Sequence, residues 1–314
     1  MVDVSVVVVN WNTRDLLAQC LDSIYGAVGS LSAQVIVVDN GSADGSVEMV
    51  RQKYPQACAI ANTENVGFVR ANNQAMAQCQ GRYILLLNSD TLVLPGSLEA
   101  TVAFMDAHPD AGLAGIRLLH ADGTFQASYT LFPTLWQEFL ILTRLGRWLI
   151  RPYFPSRGPE IERGAQEIRG YVEGAYIMAR REAVERVGGF DEHIFMYAED
   201  VDWCYRFYQA GWPVWYLPQV SIIHYGGQSS GKRRGRMEAE LYRSRVHFFY
   251  KHYGKASGLC LKLLIYGLTL CKMALHGAIR LVTRGRKGRS VTSWRELCLA
   301  LGDVGSVLEQ RTKL

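Results

Sequence analysis

Glu199-Asp200-Val201-Asp202 sets three carboxylates within four residues, beside Phe195, Tyr197 and Trp203. Carboxylates this close repel one another unless a cation neutralises them or one keeps its proton. A group tuned in that way suits a general base. The alternative is a helix start, where acids meet the positive end of the dipole and Asp202 reaches Arg206 at i,i+4. A second acidic point, Asn88-Ser89-Asp90, follows the apolar run Tyr83–Leu87. An Asp leaving a buried parallel strand can hold Mg²⁺ together with substrate phosphates, or it can open a turn ahead of Pro95. His224 ends the apolar run Val220–Ile223 and precedes Tyr225-Gly226-Gly227-Gln228-Ser229. It could complete a metal site, contact phosphate or serve as a local hydrogen-bonder. Asp39, in Val37-Val38-Asp39-Asn40-Gly41-Ser42, can accept from a base N–H or a ribose hydroxyl, or close an Asx-turn. Asn65-Val66-Gly67-Phe68, with Arg70, Asn72 and Asn73, opens a helix where Gly67 lets backbone approach a ligand.

Those residues need a frame, and the hydrophobic pattern supplies one. Val4–Val9, Gln34–Val38, Ala57–Ala61 and Tyr83–Leu87 are short apolar runs, separated by amphipathic stretches at Asp15–Tyr25, Ser46–Tyr54 and Val69–Cys79. Apolar strands alternating with helices read as βαβ units on a buried parallel sheet, whose ligands sit beyond the carboxyl ends of the strands. Here those ends are Asn10-Trp11-Asn12, Asp39–Ser42, Asn62–Gly67 and Asn88-Ser89-Asp90, all polar. The pattern breaks after about residue 125. Leu131–Ile150 is aromatic and apolar with interspersed Arg, followed by a Pro/Gly/Arg stretch to Gly170. It reads either as a surface excursion with its own small core or as a flap facing substrate or membrane. Regular structure is expected again in a strand at Tyr171–Ala179, helices at Arg181–Val187 and Tyr197–Ala210, and apolar runs at Val214–Leu217 and Val220–Ile223.

Taken in order, these segments resemble the family 2 glycosyltransferases, in the rhamnosyltransferase-like branch. The resemblance is carried by Val4–Asn12, Val37–Ser42, Glu64–Phe68, Leu87–Thr91, Glu173–Met178, Val187–Asp191, Tyr197–Trp203 and His224–Ser229. It implies an α/β GT-A fold, a Rossmann-like αβα sandwich on a mostly parallel sheet. A domain over residues 1–257 would comprise a nucleotide-sugar half (1–120) and an acceptor half (121–257). It also implies inverting transfer from a nucleotide-activated sugar, best matched by dTDP-rhamnose, to a saccharide or lipid-linked acceptor in cell-surface polysaccharide assembly. By position, Asn10, Trp11, Asn12 and Asp39 would line the base and ribose pocket, with Asn65, Gly67, Arg70 and Asn72 closing it. Asn88, Ser89 and Asp90 match the family's Asp-X-Asp, with Asn in the first place, so Asp90 and His224 would hold a divalent cation, Mg²⁺ or Mn²⁺. Asp200 matches the catalytic base, supported by Glu199 and Asp202, and Gly174, Ala175, Glu199 and Trp203 would meet the acceptor. Processive relatives carry Gln-x-x-Arg-Trp after the base; its absence here implies one or a few additions. Two rival readings are a sugar-nucleotide-forming nucleotidyltransferase and a catalytically silent scaffold on the same fold.

Charge adds a third region. Residues 1–231 hold 16 Lys+Arg against 24 Asp+Glu, a net of −8, and residues 232–314 hold 18 against 5, a net of +13. The overall +5 of this 314-residue chain therefore averages an acidic body and a basic tail. At 100° per residue, Lys262, Lys272, Arg280 and Arg284 share one arc of about 120°, the rest being largely apolar. Together with the basic Arg284–Arg289, this reads as an extension over 258–314 whose residues 258–289 lie on an anionic membrane surface; the alternative is a helix covering the core. Few aromatic groups are available there to stack on bases, so nucleic acid is not expected. Seven scattered cysteines without a Cys-x-x-Cys pair, and no secretory leader, point to a cytoplasmic enzyme peripheral on the inner membrane face. Charged and polar residues interrupt the chain too often for a polytopic membrane protein.

Overall fold

The computed structural model describes residues 1–158, 164–194, 196–226 and 234–282, with side chains over 240–275 in the last stretch. Phe195, Gly227–Ser229 and the basic Arg284–Arg289 lie outside the described residues.

The chain opens with β1 (Val4–Asn10), α1 (Arg14–Ala27), β2 (Ala33–Asp39), α2 (Ser46–Lys53), β3 (Cys58–Ala61), α3 (Phe68–Met76) and β4 (Tyr83–Asn88). Then come β5 (Thr91–Val93), α4 (Ser97–Ala107), β6 (Leu113–Leu119), β7 (Phe125–Gln126), β8 (Tyr129–Leu131), α5 (Leu135–Thr143) and α6 (Leu145–Leu149). The remainder is β9 (Gln166–Ile168), β10 (Gly170–Val172), β11 (Tyr176–Arg180), α7 (Arg181–Val187), α8 (Glu199–Gln209), β12 (Val214–His224) and α9 (Arg234–Val282).

The main sheet runs β3-β2-β1-β4-β11-β6-β12-β5, with β3, β2, β1 and β4 parallel and β11 entering antiparallel. Side chains alternate across it with the period of two that a strand imposes. Val4, Val6 and Val8 join the layer under α1 and α4, with Leu17, Leu21, Leu98 and Val102. Val7, Ile36 and Val38 face the opposite layer, where α3, α7 and α8 contribute Val69, Ala183, Trp203 and Phe207. Both faces are thus covered, which is why the strands read as near-continuous apolar runs.

Three expectations are corrected. Tyr171–Ala179 is two strands: β10 pairs with β8 in a separate ribbon while β11 returns to the main sheet, the break falling at Glu173-Gly174-Ala175. The two apolar runs after 213 form one strand, β12, whose register slips between Leu217 and Ser221, around Pro218, which has no N–H to give a ladder. Helix α8 starts at Glu199, because Tyr197 and Ala198 hold left-handed backbone at φ 66° and 61°.

Two units are distinguished, one over residues 1–132, 156–195 and 199–231, the other over 133–155, 196–198 and 232–314. In the second, α5 lies along α9: Arg245 pairs with Glu138 at 2.9 Å, and Lys272 donates to the Leu142 carbonyl at 2.8 Å. Arg245 and Lys272 would be about 40 Å apart on a straight helix, yet their partners are four residues apart. Helix α9 is therefore bent back on itself at Gly254, whose φ of 87° is left-handed. The domain boundary expected at 258 falls inside α9, just past this bend.

Within Glu240–Leu275 α9 is long and apolar enough to cross a membrane, by length and composition alone, and only 17% of its apolar window is buried. Leu261 and Ile265 are buried on the side that carries Lys272, whereas Leu259, Leu263, Leu270 and Leu275 are exposed. The apolar side of this limb is therefore largely exposed.

Candidate active site

At the carboxyl ends of β1, β2 and β4 the polar residues are bonded to one another. Asn10 is fully buried, and its amide donates to Asp39 Oδ2 at 2.8 Å and to Ser42 Oγ at 3.2 Å. The Ser42 N–H donates to Asp39 Oδ1 at 2.8 Å, so both oxygens of that carboxylate are held. Asn12 takes left-handed backbone at φ 53°, which Asn tolerates, and its Oδ1 accepts from Ala43 N at 2.9 Å. Trp11 between them is half-buried. Thr13 Oγ1 donates to Asn10 Oδ1 at 2.7 Å and meets Ser89 Oγ at 3.2 Å, stitching the β1 exit to the β4 exit. Thr13, one residue past Asn10-Trp11-Asn12, and Ser42, the last residue of Val37–Ser42, serve as hydroxyl hubs that the sequence reading did not single out.

Amides form the next wall. Asn40 Nδ2 donates to Asn65 Oδ1 at 3.3 Å and to the Gly67 carbonyl at 3.1 Å, and Asn65 Oδ1 accepts from Gly67 N at 3.0 Å. Gly67 has φ 93°, a backbone that favours glycine at this entry to α3. Two expected neighbours are not drawn in. Asn72 is buried and turns its amide back onto the Phe68 carbonyl at 2.9 Å, and Arg70 is exposed beside Glu192 at 3.6 Å.

The structure brings Asp90 and His224 together although 134 residues separate them. β12 pairs antiparallel with β5, aligning His224 with Thr91, and Tyr225 N donates to the Asp90 carbonyl at 2.9 Å. His224 Nε2 lies 3.3 Å from Asp90 Oδ1 and 3.5 Å from Asn88 Nδ2. Its Nδ1 lies 3.0 Å from Gln126 Oε1, a partner that sequence reading did not find. With Nδ1–H donating to that amide oxygen, Nε2 presents a lone pair toward a carboxylate, and two such electron-rich atoms fit a cation between them. Among the described residues no three His, Cys, Asp or Glu side chains gather as a cation site. Two protein donors therefore fit a divalent ion only if phosphate oxygens complete its shell, the usual habit of Mg²⁺.

The acidic cluster divides by depth. Asp200 Oδ1 accepts from Val201 N at 2.8 Å and Oδ2 from Gly174 N at 3.1 Å. The neighbouring Ala175 carbonyl accepts from Asn88 N at 3.2 Å. Gly174-Ala175 is thus a two-residue bridge between Asp200 and the strand end that leads to Asp90. Glu199 is buried, and burial first, then the nearby Asp200 and Glu173 charges, raises its carboxyl to about 8. Its Oε2 has no hydrogen-bond partner among the described residues.

Asp202 and Trp203 are supports and not acceptor contacts. Asp202 is fully buried against Arg206 Nε at 2.8 Å, and Arg206 also donates to the Val187 and Gly189 carbonyls at 3.0 and 2.6 Å. Trp203 is fully buried, its indole N–H bonded to the Gly188 carbonyl at 2.9 Å and its ring edge-on to Phe190 and Phe207. Ala175 is also buried, so its backbone, not its methyl, is what it offers.

A known family matches the part of the chain that ends ahead of Glu199 and His224. The glycosyl transferase family 2 profile matches residues 5–188, more than half of the chain. The chain belongs to that family. This glycosyltransferase is 29% identical to the N-acetylglucosaminyl-diphospho-decaprenol L-rhamnosyltransferase of Mycobacterium tuberculosis, over 63% of this chain and 68% of that one. It is 27% identical to rhamnosyltransferase WbbL of Escherichia coli K12, over 51% of this chain and 61% of that one. Its fold is that of the mannosyltransferase PcManGT from Pyrobaculum calidifontis in complex with GDP-Man and Mn²⁺. The TM-score is 0.55 at 18% identity, covering 96% of this chain and 86% of that one. The expected GT-A sandwich is thereby established.

Proposed function

We propose that this glycosyltransferase moves one sugar at a time, with inversion, from a nucleotide donor to a saccharide or lipid-linked acceptor used in cell-surface polysaccharide assembly. Rhamnose from dTDP-rhamnose is the donor best supported, by the two rhamnosyltransferases it resembles. The observation that carries the reading is the bridge Asp200–Gly174-Ala175–Asn88, which ties a fixed carboxylate to the strand end bearing Asp90.

Asp200 is the general base. The Gly174 and Val201 N–H groups fix its carboxylate, which takes the proton of the acceptor hydroxyl as that oxygen attacks the anomeric carbon. The attack comes from the face opposite the leaving diphosphate, so configuration inverts without a covalent intermediate. Glu199, protonated at neutral pH, leaves Asp200 the negative member of the pair. Asp39, oriented by Asn10 and Ser42, accepts from the base or ribose, with Trp11, Asn12, Asn65 and Gly67 around it. Asp90 and His224 would hold a divalent cation, Mg²⁺ or Mn²⁺, which when bound neutralises charge building on the departing diphosphate. The outward apolar arc of α9 keeps the enzyme at a membrane surface, where a lipid-linked acceptor is presented.

Nucleotide release from dTDP-, UDP- and GDP-sugars, with and without Mn²⁺ or Mg²⁺, tests the reading. Cation-dependent release from dTDP-rhamnose with an acceptor is expected. Pyrophosphate exchange in place of transfer would reveal a nucleotidyltransferase, and no turnover of any donor a silent scaffold. Asp200→Asn should abolish transfer while retaining nucleotide binding, and persistent transfer would overturn the assignment of the base.

A further inference from the structure

Residues 133–155 form a built element and not a slack loop. Thr134 and Gln137 close a capping box at the start of α5, with Thr134 Oγ1 accepting from Gln137 N at 3.2 Å and Gln137 Oε1 from Thr134 N at 3.0 Å. Arg144, left-handed at φ 62°, ends α5 and turns the chain into α6. A Cβ at Gly146 would collide with the Phe154 ring, so glycine there lets Phe154 fold under α6 and bury itself. Glu138, Leu140 and Leu142 face inward, and the Arg245 and Lys272 contacts fasten α5 to both limbs of α9.

The outer side of this element is apolar to an extent that a water-facing helix pair does not need. Trp148 is 85% exposed, Trp136 64%, Leu149 61% and Ile150 48%. Contiguous exposed patches of this kind mark partner or membrane surfaces. Its charges select the partner. The one acid of residues 133–155 is Glu138, buried in its ion pair, while Arg144 and Arg147 stand exposed, Arg147 next to Trp148 in the chain. Aromatic rings between arginines match the boundary between acyl chains and anionic head groups.

We propose that the α5–α6 turn is a membrane-insertion element, seating Trp148 and Leu149 among acyl chains and Arg144 and Arg147 on anionic phospholipid head groups. It goes beyond the role given to α9, since it rests on a different segment and on no assumption about donor or acceptor. The occupant is the bilayer surface itself. Stable peripheral attachment takes two signals, and this element and the outer arc of α9 supply them.

Hydrogen exchange of the full chain, with and without phosphatidylglycerol/phosphatidylcholine vesicles, tests the proposal. Peptides over 144–153 should gain protection on anionic vesicles and not on pure phosphatidylcholine. Trp148→Asp with Leu149→Asp should lower vesicle partition by roughly tenfold or more, with an unchanged melting temperature because both side chains are exposed. Arg144→Gln with Arg147→Gln should weaken binding only where the lipid is anionic. Equal partition of the Asp variant overturns the proposal, as does protection confined to 240–282 while 144–153 exchanges freely. A dimer in lipid-free sedimentation that the Asp variant abolishes also overturns it, assigning the face to a second copy. None of these readouts uses catalysis, so a wrong donor assignment leaves them intact.

Discussion

Glu199 holds a proton in the folded chain up to about 8, against 4.5 for the ordinary carboxyl, and the cause is burial reinforced by Asp200 and Glu173. Between those two values the folded state binds a proton that the unfolded state has released, so stability falls as pH rises through that window. Glu199→Gln keeps the neutral shape and removes the titration. Denaturant unfolding at pH 5 and pH 9 should show the parent losing roughly 1–3 kcal/mol more than Glu199→Gln across that interval. Equal losses would mean that Glu199 is ionised in the folded chain at pH 5. At this scale much of the site was legible. Asn10, Asp39, Asn65 and Asp90 declared themselves because a buried parallel sheet has no other use for amides and acids at every strand end. Trp203, expected at the acceptor by resemblance, is instead fully buried in the layer of Phe190 and Phe207, a packing its sequence neighbours do not reveal.

The Asp202–Arg206 pair belongs to the scale of elements, because it fastens α8 to the end of α7. Arg206 reaches the carbonyls of Val187 and Gly189 only while Asp202, fully buried, balances its charge. Asp202→Ala leaves a guanidinium short of its partner in the interior and should cost about 3–5 kcal/mol in chemical denaturation. A cost below 1 kcal/mol would show that the loop holds without it. Elements were readable where periodicity was strong, as in β1, β2, β4 and α1. β6 was missed: Gly115 and Arg117 interrupt Leu113–Leu119, and its central place comes from β11 and β12, far away in sequence. The bend at Gly254 was invisible for a related reason, since its neighbours on both sides are helical and only its own backbone departs, at φ 87° and ψ 170°.

For the molecule as a whole, the proposed division of tasks follows the division of charge. The acidic body carries Asp39, Asp90, Glu199 and Asp200, while the second unit turns apolar and basic groups outward. Leu263→Asp with Leu270→Asp places charge on the open arc of α9 without touching a packed residue. Membrane partition should drop roughly tenfold or more, with activity on a water-soluble acceptor retained. Undiminished sedimentation with vesicles would count against α9 as an anchor. The last strand of the sheet has a consequence of another kind. His224 ends the three-residue ladder between β5 and β12, at the end of the strand order, and Asp90 immediately precedes it on the other strand. Fraying of that edge parts the two residues at one stroke, and an ion gripped by both resists the fraying. Under the proposed cation role, opening of the Thr91–Val93 ladder and release of the ion become one linked equilibrium.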